Sequence, residues 1–296
     1  EPVVRIVREF VAARKSGARE ACVVFGAAMA ASADAALINA TAAHALDYDD
    51  VAMGGHPSAV LVPAVLAEGQ YLGASGADAL RAYLVGYEVW AELLAREPDA
   101  YHVKGWHPTA VLGTVAAAAA VAHLHGLSDA ACQNALALAA SMASGLVANF
   151  GTMTKPFHAG RAAACAIDAV RLTVGGLTAA PDAIEHHAGY LAALSPQGRV
   201  DRARPASTLG RQLRILDAGL SIKSYPMCYA THRVIDGVLD LVTAHDVKPA
   251  DVSEVHASVG VTQASMLRNH APVTGLEAKF SLEFAVASAL VARKVG

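Results

Sequence analysis

The sequence predicts a mainly α-helical protein, and three observations lead to that prediction. Hydrophobic residues make up 54% of the 296-residue chain, which is enough to bury a sizeable core. These residues are mostly alanine, valine and leucine, and only 5% of the chain is aromatic, a mixture that suits closely packed helices better than a β-sandwich. Glycine and proline also separate alanine-rich segments of helical periodicity over the first two thirds of the chain.

Each helical segment has a local start signal or a periodic apolar face. In chain order the predicted helices cover 2–13, 34–46, 57–72 and 76–95, then a segment from Pro108, a segment capped by Ser128 and the segment 158–176. Pro108 suits the first turn of a helix, where its missing N–H would have no partner. Together these segments predict a large all-helical domain over 1–216.

The character of the sequence changes near Arg211. A short strand-like run there leads to a helix after Pro226, and residues 251–262 alternate apolar and polar side chains as a half-buried strand does. Residues 274–296 predict one more helix. We therefore predict a smaller α/β domain over 217–296.

Charge and hydropathy exclude several classes of protein. The net charge is −3 and no run of lysine and arginine occurs, so the sequence has no electrostatic footprint for nucleic acid. The longest apolar stretch, 110–122, is shorter than the ~20 residues that a membrane span requires. The four cysteines lack CxxC spacing and no signal-peptide pattern opens the chain, which favours a reduced, cytoplasmic protein.

The stretch "HALDYDDVAMGGHPS" places three aspartates and two histidines around a glycine pair. Asp47 and His56 stand on either side of the predicted turn. A carboxylate near an imidazole fixes its tautomer and raises its basicity, as general acid–base catalysis requires. In the alternative, Asp49 and Asp50 cap helix ends and His56 merely precedes a proline.

A second His-Pro pair lies in "YHVKGWHPT". His107 precedes Pro108 at a predicted helix start, where free N–H groups and the helix dipole favour an anionic ligand. The alternative is a surface loop with Trp106 turned inward.

The stretch "GTMTKPFHAGRAA" places Lys155 in a predicted loop before an alanine-rich helix. A lysine there can project toward a pocket, although a lysine before a proline is usually an exposed cation. His158 either shares that pocket or caps the helix.

The fourth polar stretch, "SIKSYPMCYATH", lies where the two predicted domains meet. Lys223 and Tyr225 suit carboxylate binding, because clefts between domains are favoured ligand sites. Cys228 is a candidate nucleophile, but nothing near it predicts a lowered thiol pKa, and a buried inert thiol is the commoner case.

Seven blocks of the sequence, in order, resemble the MmgE/PrpD family: "AAHALDYDD", "HPS", "GYEV", "GWHPTAVLG", "TKPFHAGRAA", "IKSYPMCYATHRVID" and "TGLEAKFSL". The resemblance implies a metal-independent enzyme without a cofactor that acts on a small polycarboxylate. It further implies a homodimer, in which a large helical domain and a smaller α/β lid enclose the pocket. Chains of this family are longer and return to the helical domain after the lid, so we expect the lid and that return to be incomplete here.

The family's acid, histidine and lysine positions fall here on Asp47, His56, His107, Lys155 and Lys223. The resemblance implies that the two histidines share the acid and base roles, with the aspartate orienting or balancing its neighbours. The two lysines would bind substrate carboxylates, and we expect Tyr225 and Cys228 to belong to the same binding set.

The family includes 2-methylcitrate dehydratase, cis-aconitate decarboxylase and iminodisuccinate epimerase. Its decarboxylase branch carries a threonine after the DxDD block and a histidine five residues after the lid lysine, where this chain has Val51 and Cys228. The sequence therefore favours a lyase similar to 2-methylcitrate dehydratase, with epimerisation and cis-aconitate decarboxylation as alternatives.

Two hypotheses from other classes remain. One is a catalytically silent helical binding protein, although a scaffold has no physical need for buried lysines. The other is a metal hydrolase that uses the two His-Pro histidines, which would need a third protein ligand and an open water site.

Overall fold

The structure is a computed structural model that describes residues 1–296. Helices account for 57% of the residues and strands for 4%, which confirms the prediction of a mainly α protein. The α-helices in chain order are α1 (Pro2–Ala12), α2 (Ser32–His44), α3 (Pro57–Leu72), α4 (Gly76–Ala95), α5 (Tyr101–Lys104), α6 (Pro108–Leu124), α7 (Asp129–Met142), α8 (Thr154–Val174), α9 (Tyr190–Leu194), α10 (Arg214–Ala218), α11 (Tyr229–His245), α12 (Val261–Met266), α13 (Gly275–Ala278) and α14 (Leu282–Ala292). Short 3-10 helices cover Val147–Asn149 and Pro249–Asp251.

Helix α6 is the centre of the large hydrophobic core. Every residue from Pro108 to Ala122 is buried, and the helix packs against α3, α4, α7 and α8. A helix without a polar face must be surrounded on all sides, and the small alanine side chains let its neighbours come close. The buried start of α6 therefore has a fixed position, and His107 is its N-cap residue.

Helices α2 and α8 pack with almost no space between them. A Cβ atom at Gly160 of α8 would overlap Thr41 Oγ1 and the carbonyl oxygen of Leu37 in α2, so only glycine fits there. The end of α2 at His44 meets the start of α8 at Lys155. The helix pair thus brings together two residues that belong to the polar stretches of the sequence.

Most predicted helix boundaries agree with the structure, and α3 and α4 begin and end at the predicted residues. The main difference is α8, which begins at Thr154 instead of residue 158. Lys155 therefore lies in the first turn of a helix and not in a loop. Pro156 does not prevent this, because proline is tolerated in the first turn, where N–H groups have no helical partner.

All four strands are two residues long. Strand β1 (Ala21–Cys22) pairs with β2 (Met29–Ala30), and β3 (Asp50–Val51) pairs with β4 (Ser221–Ile222), both antiparallel. The second pair joins the acidic stretch of the N-terminal part to the beginning of the C-terminal part. It connects the two regions from which a site between domains would be built.

The predicted strand over 251–262 is not formed. Residues 252–260 have no regular hydrogen-bonded structure, and Val261 already starts α12. Alternating apolar residues form a strand only beside a partner that satisfies their main-chain groups, and no strand lies next to this segment. In the C-terminal part the only strand is β4, and residues 274–296 form two helices because Ser281 caps a new start.

A helix that crosses a bilayer needs about 20 predominantly apolar residues. None of the helices is both long enough and apolar enough to cross a membrane.

Candidate active site

A cavity of about 390 Å³ lies between the N-terminal helical part and the C-terminal part. Its acidic, basic and imidazole lining residues are Asp47, His56, His102, His107, Lys155 and Arg233. The side contributed by the C-terminal part includes Cys228, Tyr229, Gln263 and Phe280. The cavity thus joins residues from all four polar stretches of the sequence.

Asp47 lies between two buried lysines. Its backbone has a φ of 51°, a left-handed conformation that aspartate adopts more easily than most residues. Asp47 Oδ1 is 2.5 Å from Lys155 Nζ, and Oδ2 is 3.1 Å from Lys223 Nζ. Lys223 also donates a hydrogen bond to the main-chain carbonyl of Asp47 at 2.9 Å. Each buried charge therefore has an opposite charge beside it.

These contacts decide which groups are ionised. Burial opposes ionisation of Asp47, but the charges of Lys155 and Lys223 outweigh it and hold the pKa of this carboxyl far below its usual range. Burial likewise disfavours the Lys223 cation, but Asp47 and Asp49 raise its pKa above the ordinary value. Asp47 is therefore a permanent anion and a poor proton acceptor.

His44, which the sequence did not single out, connects Lys155 to Asp49. Its Nε2 is 2.8 Å from Lys155 Nζ and its Nδ1 is 2.6 Å from Asp49 Oδ2. An ammonium group only donates, so Nε2 accepts and the ring proton resides on Nδ1. Burial, followed by the charge of Lys155, lowers the pKa of His44 to about 4, so the ring is neutral. His44 therefore holds the ammonium in place.

His56 is oriented through one ring nitrogen. Its Nδ1 lies 2.8 Å from the carbonyl oxygen of Asp50 and 3.4 Å from Asp49 Oδ1. A carbonyl oxygen only accepts, so Nδ1 carries a proton and donates it. Nε2 forms no hydrogen bond within the protein, and the residue lines the cavity. In the neutral ring, Nε2 is then the basic nitrogen.

His107 is almost completely buried at the start of α6, with 1% of its surface exposed. Its main-chain N–H donates to the carbonyl of Gly145 at 3.0 Å, and its Nδ1 lies 3.2 Å from Nδ1 of His158. Burial and then the charge of Lys155 lower the pKa of His107 well below the usual value. Its buried Nε2 has no hydrogen-bond partner, which is unusual for such an atom and leaves it available to a ligand.

Two phenylalanines flank Lys155, and neither was predicted as a site residue. Lys155 Nζ is 5.4 Å from the ring centroid of Phe150 and 5.3 Å from that of Phe280. Phe150 also contacts the ring of His107 edge to face, with the centroids 4.8 Å apart. These rings exclude water around the ammonium and so strengthen its electrostatic effect.

Five of the seven sequence-predicted site residues line the cavity: Asp47, His56, His107, Lys155 and Cys228. Lys223 does not line it and lies behind Asp47, where it compensates buried carboxylates. Tyr225 is also outside the cavity wall, and its hydroxyl donates to Asp236 Oδ1 at 2.7 Å. Burial raises the pKa of Cys228, so its thiol stays protonated at neutral pH.

The cluster also contains a potential metal-ligand set. One ligand atom from each of His44, Asp47, Asp49 and His56 lies within 4.8 Å of the others. Two protein ammonium groups already occupy half of this set, because Lys155 bonds to Asp47 and His44 and Lys223 bonds to Asp47. A divalent cation would have to displace a lysine, so the donor set fits the ammonium groups better than a metal.

Two family models match this chain. The MmgE/PrpD N-terminal domain model matches residues 1–203 and the MmgE/PrpD C-terminal domain model matches residues 225–296. The chain is 31% identical over 270 residues to cis-aconitate decarboxylase of Homo sapiens, which covers 87% of this chain and 55% of that protein. It is 34% identical over 222 residues to the Mus musculus cis-aconitate decarboxylase, covering 73% of this chain and 44% of that protein.

A fungal relative, the cis-aconitate decarboxylase of Aspergillus terreus, is 26% identical over 280 residues, covering 87% of this chain and 56% of that protein. The chain thus spans about half the length of the curated relatives it matches. The two domain models together match most of the chain, and the chain belongs to the MmgE/PrpD family.

Proposed function

We propose that this chain belongs to a metal-independent lyase that removes a proton alpha to a carboxylate of a small polycarboxylate. One observation supports this most: two imidazoles with unpartnered Nε2 atoms and one buried ammonium line the same cavity. An unpartnered imidazole nitrogen can take up or deliver a proton. A fixed cation stabilises the charge that develops on a carboxylate when its α-proton leaves.

The hydrogen bonds support a division of roles between the two histidines. His56 donates from Nδ1 to a carbonyl, so its Nε2 is the base that takes the α-proton. His107 acts as the acid when His158 donates to its Nδ1 and the proton of His107 resides on Nε2. In a dehydration, His56 takes the α-proton and the electron pair of the broken C–H bond forms the new alkene. The C–O bond breaks with its electron pair on oxygen, and the hydroxyl leaves as water with the Nε2 proton of His107. The proton held by His56 then returns to His107 through solvent, which restores both neutral rings.

The other members of the cluster hold the cation. Lys155 contacts the substrate carboxylate, and Asp47, with Lys223 behind it, keeps the local charge balanced. His44 and Asp49 fix the direction of the Lys155 ammonium. Preorganised charges of this kind need no rearrangement during the reaction, which is why they lower the barrier.

Dehydration of a substrate such as 2-methylcitrate is the reaction that we favour. Val51 and Cys228 both line the cavity, at the two positions where the decarboxylase branch of the family carries threonine and histidine. The second candidate is decarboxylation of cis-aconitate, which the names of the human and mouse relatives favour. Both substrates are tricarboxylates, so both require cationic groups in the cavity.

Incubation with 2-methylcitrate, cis-aconitate or iminodisuccinate in deuterated water, followed by NMR, tests the proposal. We expect a new alkene signal from 2-methylcitrate, and the same rate after treatment with EDTA. Loss of CO₂ from cis-aconitate would support the second candidate, and exchange at one carbon without net loss would indicate epimerisation. Absence of all three reactions would contradict the proposal, and activity that EDTA abolishes and zinc restores would contradict its metal-independent form.

A further inference from the structure

Arg233 is a cavity-lining residue that sequence reasoning did not single out. It lies on α11, one turn after Tyr229, and both residues line the cavity from its C-terminal side. Residues four apart share one face of a helix. This face of α11 therefore presents a cation to the cavity that Lys155 also lines.

A polycarboxylate needs more positive charge than the central cluster supplies. Lys155 is bonded to Asp47 and His44, and Lys223 is bonded to Asp47 and lies near Asp49. The positive charges of the two ammonium groups and the negative charges of the two carboxylates cancel, so the cluster has no net charge. Burial also keeps the nearby imidazole of His107 neutral by lowering its pKa. One contact to Lys155 can hold one substrate carboxylate but does not compensate the others.

The guanidinium of Arg233 has no competing partner. It forms no ion pair and no hydrogen bond, although Asp236 follows three residues later on the same helix. Asp236 instead accepts the hydroxyl hydrogen of Tyr225 at 2.7 Å. A planar guanidinium can bind a carboxylate through two parallel hydrogen bonds, which a point charge such as lysine cannot.

We propose that Arg233 binds the substrate carboxylate that lies farthest from the reacting carbon, and that it thereby selects tricarboxylates over dicarboxylates. This inference rests on the proposed function. It assigns Lys155 and the histidines to the reacting end of the substrate and α11 to the other end. A bound tricarboxylate would then connect α8 with α11 across the cavity.

Binding of an unreactive ligand tests this without turnover. Tricarballylate and glutarate, a tricarboxylate and a dicarboxylate, are titrated calorimetrically into the wild-type protein and into Arg233→Gln. We expect the substitution to weaken tricarballylate binding by roughly 10- to 100-fold, the usual worth of a charged hydrogen-bonded contact, and to change glutarate binding less than threefold. Arg233→Lys should lie between the wild-type protein and Arg233→Gln.

Arg211→Gln is the matched control, because Arg211 is exposed, outside the cavity wall and without a side-chain partner. It should bind both acids as the wild-type protein does. If Arg233→Gln and Arg233→Lys bind tricarballylate as tightly as the wild-type protein, the role of Arg233 is wrong while the proposed function stands. If the wild-type protein binds neither acid, the proposed function fails, and this inference fails with it.

Discussion

The carboxylate of Asp47 and the ammonium of Lys155 are 2.5 Å apart, and each side chain is only 4% exposed. Removing one partner of such a pair leaves an uncompensated charge in a region that water does not reach. A substitution at either residue should therefore change both the free energy of unfolding and the charges in the cavity.

We expect Lys155→Met to lower the free energy of unfolding by about 3–5 kcal/mol, because the buried carboxylate of Asp47 then loses one of its two ammonium partners. The double variant Lys155→Met with Asp47→Asn should lose much less stability than the sum of the two single variants, since the uncompensated carboxylate is then absent. Urea unfolding of the four proteins gives the coupling energy. The exposed pair Arg5–Glu9 is the control, with an expected coupling below about 1 kcal/mol. A coupling this small for Asp47 and Lys155 would contradict the prediction.

His107→Gln should reduce the rate of the chemical step by roughly 10²- to 10⁴-fold and leave ligand binding largely intact. Lys155→Ala should differ, because a cation that holds a carboxylate in both ground and transition states affects binding first. Its KM should rise by more than its kcat falls. Steady-state kinetics measures both, with His123→Gln at the exposed end of α6 as the control. The opposite pattern would exchange the roles of the two residues.

Acid should destabilise the protein through its buried histidines. Burial is the largest cause in each case, and it lowers the pKa values of His44, His102 and His158 to about 4. The unfolded chain takes up these protons near pH 6.5, so the stability is complete above that pH and is lost as the pH falls toward 4. Each group contributes up to about 1.4 kcal/mol per pH unit in that interval.

The change of the free energy of unfolding with pH in that interval checks this prediction. Urea unfolding between pH 7 and pH 4.5 gives the free energy of unfolding as a function of pH. For His158→Gln its slope should be shallower than for the wild-type protein, by the contribution of about one histidine. His256→Gln is the control, because the side chain of His256 is 85% exposed. Equal slopes for the wild-type protein and His158→Gln would show that this imidazole titrates normally.

The cysteines should differ in reactivity. Cys22 is exposed, whereas Cys228 is 7% exposed and burial raises the pKa of its thiol. Since the thiolate is the reactive form, a disulfide reagent should modify Cys22 quickly and Cys228 slowly. Cys22→Ser should remove the fast phase and Cys228→Ser should leave it unchanged. Loss of the fast phase in Cys228→Ser would show an activated thiol in the cavity.

We expect a homodimer in solution. The N-terminal part exposes large apolar side chains on α1 and α3, including Phe10 at 52%, Leu66 at 49% and Tyr71 at 49%. A stable dimer buries about 1,600 Å² in total, and exposed apolar side chains of this kind favour such burial. Light scattering at micromolar concentration should give twice the mass of the chain. A monomer under these conditions would contradict the expectation.

The sequence predicted the parts of the fold that local signals control. Pro57 starts α3, left-handed Gly73 ends it, and Ser75 and Asp78 form a capping box that starts α4. The positions of His56 and His107 could be predicted for the same reason, since each precedes a proline that begins a helix. A rigid local frame makes the position of an imidazole predictable.

Non-local contacts could not be predicted in this way. Residues 251–262 alternate like a strand, but no partner strand lies beside them. The role of His44 could not be predicted, because it depends on Lys155, which is 111 residues away in the sequence. The sequence predicts Lys223 as a carboxylate-binding residue, but its burial behind Asp47 depends on the packing of two distant parts of the chain.

The distances along the chain between these partners have a consequence for synthesis. Asp47 precedes Lys155 by 108 residues and Lys223 by 176. At the usual 5–20 residues per second, a ribosome adds Lys155 roughly 5 to 20 s after Asp47, and Lys223 later still. During translation the acidic stretch therefore emerges without its counter-charges and stays hydrated. The cavity around Asp47 can form only after both lysines have been added to the nascent chain.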